Sequence, residues 1–221
     1  MATGSPVCAI VGMGPGVSMA VAERFGKEGY TLAMIARRIN ALEEYSEDLG
    51  RLGIEALGYR ADAGDEHSLG KAFDEIRNRQ GQPSVLIYNA AMVRQELASR
   101  TSVEDYVDDF RVNVTGAVAA VQAVLSDMKA EKKGSILFTG GGLALQPYPQ
   151  FASLAIGKAG IRSLCFSLAG ELKPLGIHVA TVTICGIVKK GTKFDPMLIA
   201  EEYWNLHNQS ASAWQQEVVF E

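Results

Sequence analysis

Short runs of apolar and β-branched residues alternate along the chain with longer segments whose apolar positions recur every three or four residues. The runs read as strands at residues 7–12, 31–36, 54–60, 84–88, 135–139, 178–184 and 217–220. The segments between them read as helices at 17–28, 41–51, 66–79, 103–128 and 153–173. Strands that are continuously apolar, each followed by an amphipathic helix, predict a parallel sheet covered on both faces. The expectation is an α/β chain of the Rossmann type, with a doubly wound parallel sheet of about seven strands in three α/β/α layers.

No internal repeat or low-complexity linker interrupts this pattern, so residues 1–221 are expected to form a single domain. The alternation breaks at 186–216, where a helix over 196–207 stands between the last two strands. A segment inserted at the carboxyl edge of a sheet often covers a ligand, and 186–216 is expected to act as a lid. The helix containing Val114, Ala117, Val118, Ala120, Val121, Ala123 and Val124 is small or apolar on nearly every face. It needs cover on two sides, one from the sheet and the other from a second subunit or from elsewhere in the same chain, of which the second subunit is favoured.

Charge narrows the partners. The net charge is −4 and is spread along the sequence, which speaks against nucleic acid or an anionic membrane and for a small-molecule partner. Cys8, Cys165 and Cys185 lie far apart inside apolar runs, as reduced core thiols do, and their spacing suits neither a disulfide framework nor a metal site. The opening residues are uncharged, and the apolar run that follows is broken early by glycine, so no targeting segment is expected and the cytoplasm is the default compartment.

The first strand runs into Gly12-Met13-Gly14-Pro15-Gly16-Val17-Ser18 and then a helix. Glycines there permit positive φ and let the backbone approach a pyrophosphate, whose charge is met by free N–H groups at the helix start. In this context the turn points to a dinucleotide. At the end of the second strand, where a reader of the ribose 2′-hydroxyl is normally acidic, stand Arg37 and Arg38. Guanidinium forks suit a 2′-phosphate, so NADP(H) is favoured over NAD(H).

With these residues in place, the sequence resembles the short-chain dehydrogenase/reductase family along almost its whole length. Residues Gly12 to Ser18 resemble its Thr-Gly-x-x-x-Gly-x-Gly turn, with Val11 at the Thr and Ser18 at the last Gly. Asp62, followed by Ala63, matches the acid that contacts adenine, and Asn89-Ala90-Ala91 resembles the Asn-Ala-Gly motif bordering the cofactor. Asn113 and Lys158 match the active-site Asn and Lys. Cys185-Gly186-Ile187-Val188 takes the place of the Pro-Gly turn beside the nicotinamide, which puts Gly186 and Val188 among the cofactor contacts. The resemblance also implies a homodimer or homotetramer built on the 103–128 and 153–173 helices.

The catalytic pattern of that family is incomplete. Its Tyr falls at Leu154, four positions before Lys158, and its Ser at Gly141, thirteen before that. The Tyr gives a proton to the substrate oxygen and the Ser hydrogen-bonds it; neither leucine nor glycine can do so. A Tyr seven positions before the Lys, the arrangement of related enoyl reductases, is replaced by Phe151. Tyr148, braced between Pro147 and Pro149, is the substitute acid of choice, and His207 at the end of the 196–207 helix is a second group within conceivable reach. The catalytic candidates are therefore Asn113, Lys158 and Tyr148, with no metal.

Two functions remain open. One is an oxidoreductase moving hydride between NADPH and a small carbonyl, imine or enone, with a non-standard proton donor. The other is a nucleotide-binding protein without turnover, acting as a cofactor-bound sensor or as a structural subunit beside an active relative.

Overall fold

The computed structural model describes residues 4–221. Seven parallel strands lie in the order β3-β2-β1-β4-β5-β6-β7: β1 Val7–Val11, β2 Thr31–Ala36, β3 Ala56–Arg60, β4 Pro83–Tyr88, β5 Gly134–Thr139, β6 Ile177–Ile184 and β7 Glu217–Phe220. The helices are α1 Val17–Gly26, α2 Ile39–Arg51, α3 Glu66–Arg79, α4 Val103–Phe110, α5 Gly116–Glu131, α6 Ala152–Leu172 and α7 Pro196–His207.

Alternation along the strands divides the interior into two cores. From β1, Val7, Ala9 and Val11 pack with Phe73 of α3, Val121 of α5 and Ile161 of α6. Cys8 and Ile10 point the other way, to Phe25 of α1, Leu49 of α2 and Tyr203 of α7. A sheet buried on both faces explains why its strands read as unbroken apolar runs. The strand order reverses between β1 and β4, so the loops after these two strands diverge and leave a crevice at the carboxyl edge.

Two expectations change. The 103–128 helix is divided: between α4 and α5 lies one π-helical turn, Arg111–Thr115, an irregularity often found at functional sites. The 196–207 helix does not cover the carboxyl edge. Ile199, Ala200, Tyr203 and Leu206 of α7 are buried in the core that α1 shares, because its apolar residues match the open side of α1 and the sheet. Asp195 caps α7, accepting from the amide of Met197 at 2.9 Å. What remains free of the expected lid is the connection over residues 186–195.

On α5, Ala117, Ala120, Val121, Val124 and Met128 are buried against the sheet, while Val118, Ala119, Ala123 and Leu125 stay partly open. Cys8 and Cys165 are buried and Cys185 is partly so, all as free thiols. Among the described residues no helix is long and apolar enough to cross a membrane, and no cluster of metal-ligating side chains occurs.

Candidate functional site

The turn after β1 is built around Gly12. Its φ is +87°, and a Cβ there would overlap the main chain of Ala90, so glycine is required twice over. The amides of Gly12 and Met13 both donate to the carbonyl of Ile35, at 2.9 and 3.0 Å, fixing the turn to the end of β2. Asn89 secures the other side by donating from Nδ2 to the carbonyl of Gly12 at 2.9 Å.

Ser18 is buried and closes the turn from within. Its Oγ accepts from the Gly14 amide at 2.9 Å and donates to the Gly14 carbonyl at 3.1 Å. Ser18, which stands where the family turn has its last glycine, thus has a structural role that residue type alone does not reveal. With the Gly14 amide engaged and Pro15 lacking one, the amides of Gly16 and of the first turn of α1 are the donors left at the mouth of the turn.

A cleft of about 720 Å³ opens beside this turn, at the reversal of strand order. It is lined by Gly12, Arg37, Arg38, Asp62, Ala63, Asn89, Ala90 and Ala91, all expected from sequence, together with Met13, Met92 and Val112. Arg37 and Arg38 are exposed and take part in no salt bridge among the described residues. Asp62 holds its own turn, with Oδ1 accepting from the Gly64 amide at 2.9 Å. Unpaired guanidiniums at one end of a cleft that borders the glycine turn fit a phosphorylated dinucleotide.

Beyond the cleft, Lys158 extends from α6 toward β5, and its ammonium donates to the carbonyl of Thr139 at 2.7 Å. Burial pushes its pKa down to about 8, since no carboxylate compensates the lost hydration. Gly141 lies against its stem: a Cβ there would sit 3.5 Å from Cγ, Cδ and Cε of Lys158. Leu154, one turn earlier on α6, is buried.

Asn113 occupies the π-helical turn and is buried. Its Oδ1 accepts from the Met92 amide at 2.6 Å and its Nδ2 donates to the Met92 carbonyl at 3.3 Å, so the carboxamide holds the loop after β4. Gly157 on α6 leaves no space for a Cβ against that side chain. Tyr148 is 54% exposed, its hydroxyl bonds no described residue, and it does not line the cleft. Gly186 packs under the ring of Phe194, where a Cβ would collide, and Val188 is exposed.

Two polar groups, Asp109 buried and Thr139 partly so, carry no signal in the sequence. Asp109 of α4 accepts from Arg94 at 2.9 and 3.1 Å and from Ser153 of α6 at 2.7 Å. Burial alone would raise its carboxyl, but these hydrogen bonds and the Arg94 charge outweigh it and hold the pKa below the usual value. The triad clamps the loop after β4 beside Leu154. Thr139 is the second: its hydroxyl is 2.9 Å from Asn89 Oδ1 and 2.7 Å from the Tyr203 hydroxyl.

His207 lies at the opposite edge of the sheet from the cleft. It is 2.7 Å from the Tyr30 hydroxyl and 2.8 Å from the Ser135 hydroxyl, near the starts of β2 and β5, and cannot reach a ligand at the carboxyl edge.

The family model described as short chain dehydrogenase matches residues 6–197. The chain belongs to the short-chain dehydrogenase family. Human 3-oxoacyl-[acyl-carrier-protein] reductase is 29% identical over 176 residues, covering 80% of this chain and 73% of its own length. Carbonyl reductase family member 4 of Xenopus laevis is 26% identical over 178 residues, covering 80% and 74%. Among solved structures, a short-chain dehydrogenase from Rhodopseudomonas palustris superposes with a TM-score of 0.88 at 24% identity, covering 98% of both chains. A metagenomic short-chain oxidoreductase in complex with NADP has a TM-score of 0.89 at 21% identity, covering 98% of this chain and 96% of its own. These structural likenesses establish the fold, and the family is one of oxidoreductases.

Proposed function

We propose that this short-chain dehydrogenase binds NADP(H), in preference to NAD(H), and transfers hydride between NADPH and a small carbonyl, imine or enone. The observation that carries the reading is the pair of unpaired guanidiniums, Arg37 and Arg38, at one end of a cleft bordered by the glycine turn. In this reading Arg37 and Arg38 hold the 2′-phosphate, and the turn Gly14, Pro15, Gly16 and Val17, with the free amides of Gly16 and the first turn of α1, meets the pyrophosphate. Asp62 and Ala63 border the adenine, Asn89, Ala90 and Ala91 support the ribose side, and Gly186 and Val188 flank the nicotinamide. Lys158 holds the nicotinamide ribose. Asn113 keeps the loop after β4 in register with the site.

Bound there, the cofactor supplies hydride. The chain's own contribution is orientation and exclusion of water over the connection at 186–195. The partly open face of α5, with Val118 and Leu125, is read as a homodimer or homotetramer contact, and the cytoplasm as the compartment. Light scattering at micromolar concentration tests the assembly; a clean monomer rejects it.

Stopped-flow oxidation of NADPH against a panel of ketones, imines and enones tests the activity. Turnover of at least one class is expected. Binding with no oxidation by any of them supports the second reading, a cofactor-bound protein without turnover, which Leu154 and Gly141 in place of the usual phenol and hydroxyl favour.

A further inference from the structure

Hydride transfer to a carbonyl leaves an oxygen that needs a proton, and the positions that normally bring one carry Leu154 and Gly141. Tyr203 is fully buried behind β5 and directed at Thr139, and Tyr88 donates to the carbonyl of Val112 at 2.6 Å. Tyr148 stands exposed on its loop, with its hydroxyl bonded to no described residue and outside the cleft. Cys185 has a thiol pushed up by burial, and His178 and His207 belong to the opposite edge. Lys158 remains. It is held at a defined point by the carbonyl of Thr139, and the side wall over its stem is a bare glycine.

The glycine changes what a substrate can reach. Gly141 has an extended backbone that any residue can adopt, so its lack of a side chain is not required by the turn. A side chain there would lie on the Lys158 methylenes, and with glycine in place both positions are partly open to solvent. The carboxylates brought by neighbouring elements are engaged elsewhere: Asp109 of α4 with Arg94 and Ser153, Asp105 with Arg94, Asp108 with Arg111, and Glu217 of β7 with Arg162 and Thr183. None is paired with the ammonium, whose hydrogen bond goes to the neutral main-chain carbonyl of Thr139.

We propose that Lys158 is the general acid of this chain, donating a proton from Nζ directly to the substrate oxygen through the space left open at Gly141. The step rests on the oxidoreductase reading above. Hydride from NADPH forms the new C–H bond, the carbonyl π pair moves to oxygen, and that oxygen takes a proton as an N–H bond of the ammonium breaks. An alcohol, NADP⁺ and a neutral amine result, and the amine regains its proton from solvent. A lysine desolvated to a pKa of about 8 is near the optimum for such an acid at neutral pH.

The test compares a ketone, which needs a proton, with a cyclic iminium ion, which needs only hydride, in single turnovers at saturating NADPH. For the unaltered protein the ketone rate should fall as pH rises through about 8 while the iminium rate does not follow it. In Lys158→Met the ratio of ketone to iminium rate should fall about 100-fold or more. Carbon and nitrogen NMR of labelled lysines in the free protein should show one ammonium titrating near that pH and missing from the variant. Equal losses for the two substrates would reduce Lys158 to a cofactor ligand and overturn the proposal, as would an abolished ketone rate in Tyr148→Phe. Turnover of the iminium alone by the unaltered protein would overturn the proton step and leave the oxidoreductase reading standing. Bound NADPH oxidised by neither substrate would overturn both.

Discussion

The hydroxyl of Tyr203, on the last helix, lies 2.7 Å from the hydroxyl of Thr139 at the end of β5. Thr139 gives its own proton to Asn89 Oδ1 at 2.9 Å, so Tyr203 must be the donor to Thr139. Asn89 in turn donates to the Gly12 carbonyl, and the Thr139 main chain receives Lys158. A single directed chain of hydrogen bonds thus runs from α7 through β5 and β4 to the glycine turn, with Lys158 attached at its centre.

Breaking this chain at its two hydroxyls should have unequal effects. Tyr203→Phe removes one donor and should cost about 1 kcal/mol, whereas Thr139→Val leaves both the Tyr203 proton and Asn89 Oδ1 without partners and should cost about 2 to 3 kcal/mol. Urea denaturation of both variants measures this. Equal midpoints would show that Thr139 is not the branch point.

For the cofactor, Arg37→Ala should weaken NADPH binding by roughly 10- to 100-fold, as loss of a charge-assisted contact of about 1.5 to 3 kcal/mol implies, with little change for NADH. Titration calorimetry with both cofactors checks it. Unchanged NADPH affinity would mean that the guanidinium is only solvated.

Acid should loosen the packing of α7. Burial, with minor contributions from the Lys133 and His178 charges, lowers the pKa of His207 to about 4 from an ordinary 6.5. The folded state therefore favours the neutral ring. Its contribution is complete above pH 6.5 and is lost progressively as pH falls toward 4, amounting to about 3 kcal/mol at most. Thermal melts across that window should show a falling midpoint, and His207→Gln should flatten the dependence. A variant that follows the unaltered protein would assign the acid sensitivity to other groups.

Restoring the missing groups is the direct check on the altered site. Gly141→Ser places its Cβ in ordinary contact, 3.5 Å from the Lys158 stem, on a backbone already extended. By itself it should lower ketone reduction by covering the approach to Lys158, and adding Leu154→Tyr, which supplies a phenol, should restore it. No gain in a variant that folds and still binds NADPH would mean that the substrate oxygen does not approach position 154.

Much of this was legible before any coordinates. Strand and helix positions follow from local periodicity, because a side chain's face is set by its own backbone repeat. The expected β3 began two residues early, at Ile54, since an apolar residue closing a turn has the same hydropathy as one opening a strand. Eight of the expected cofactor residues line one cleft because the turn, the end of β2 and the end of β4 are brought together by strand order alone. The division of the 103–128 helix was not legible, since a π-helical turn keeps nearly the same apolar spacing as its neighbours.

By itself the sequence determined the alternating α/β elements, the glycine turn with its two arginines, and the loss of phenol and hydroxyl at Leu154 and Gly141. Each of these is written in residue type and spacing. Tertiary structure alone decided that α7 packs beside α1 and is no lid, that His207 bonds Tyr30 and Ser135 far from the cleft, and that Asp109 is buried within a run of acidic residues. Only it showed that Gly141 lies over the stem of Lys158. The reason is physical: an amphipathic helix records that it has a buried side but not which neighbour covers it, and a polar residue records its hydrogen-bonding capacity but not the distant atom that satisfies it.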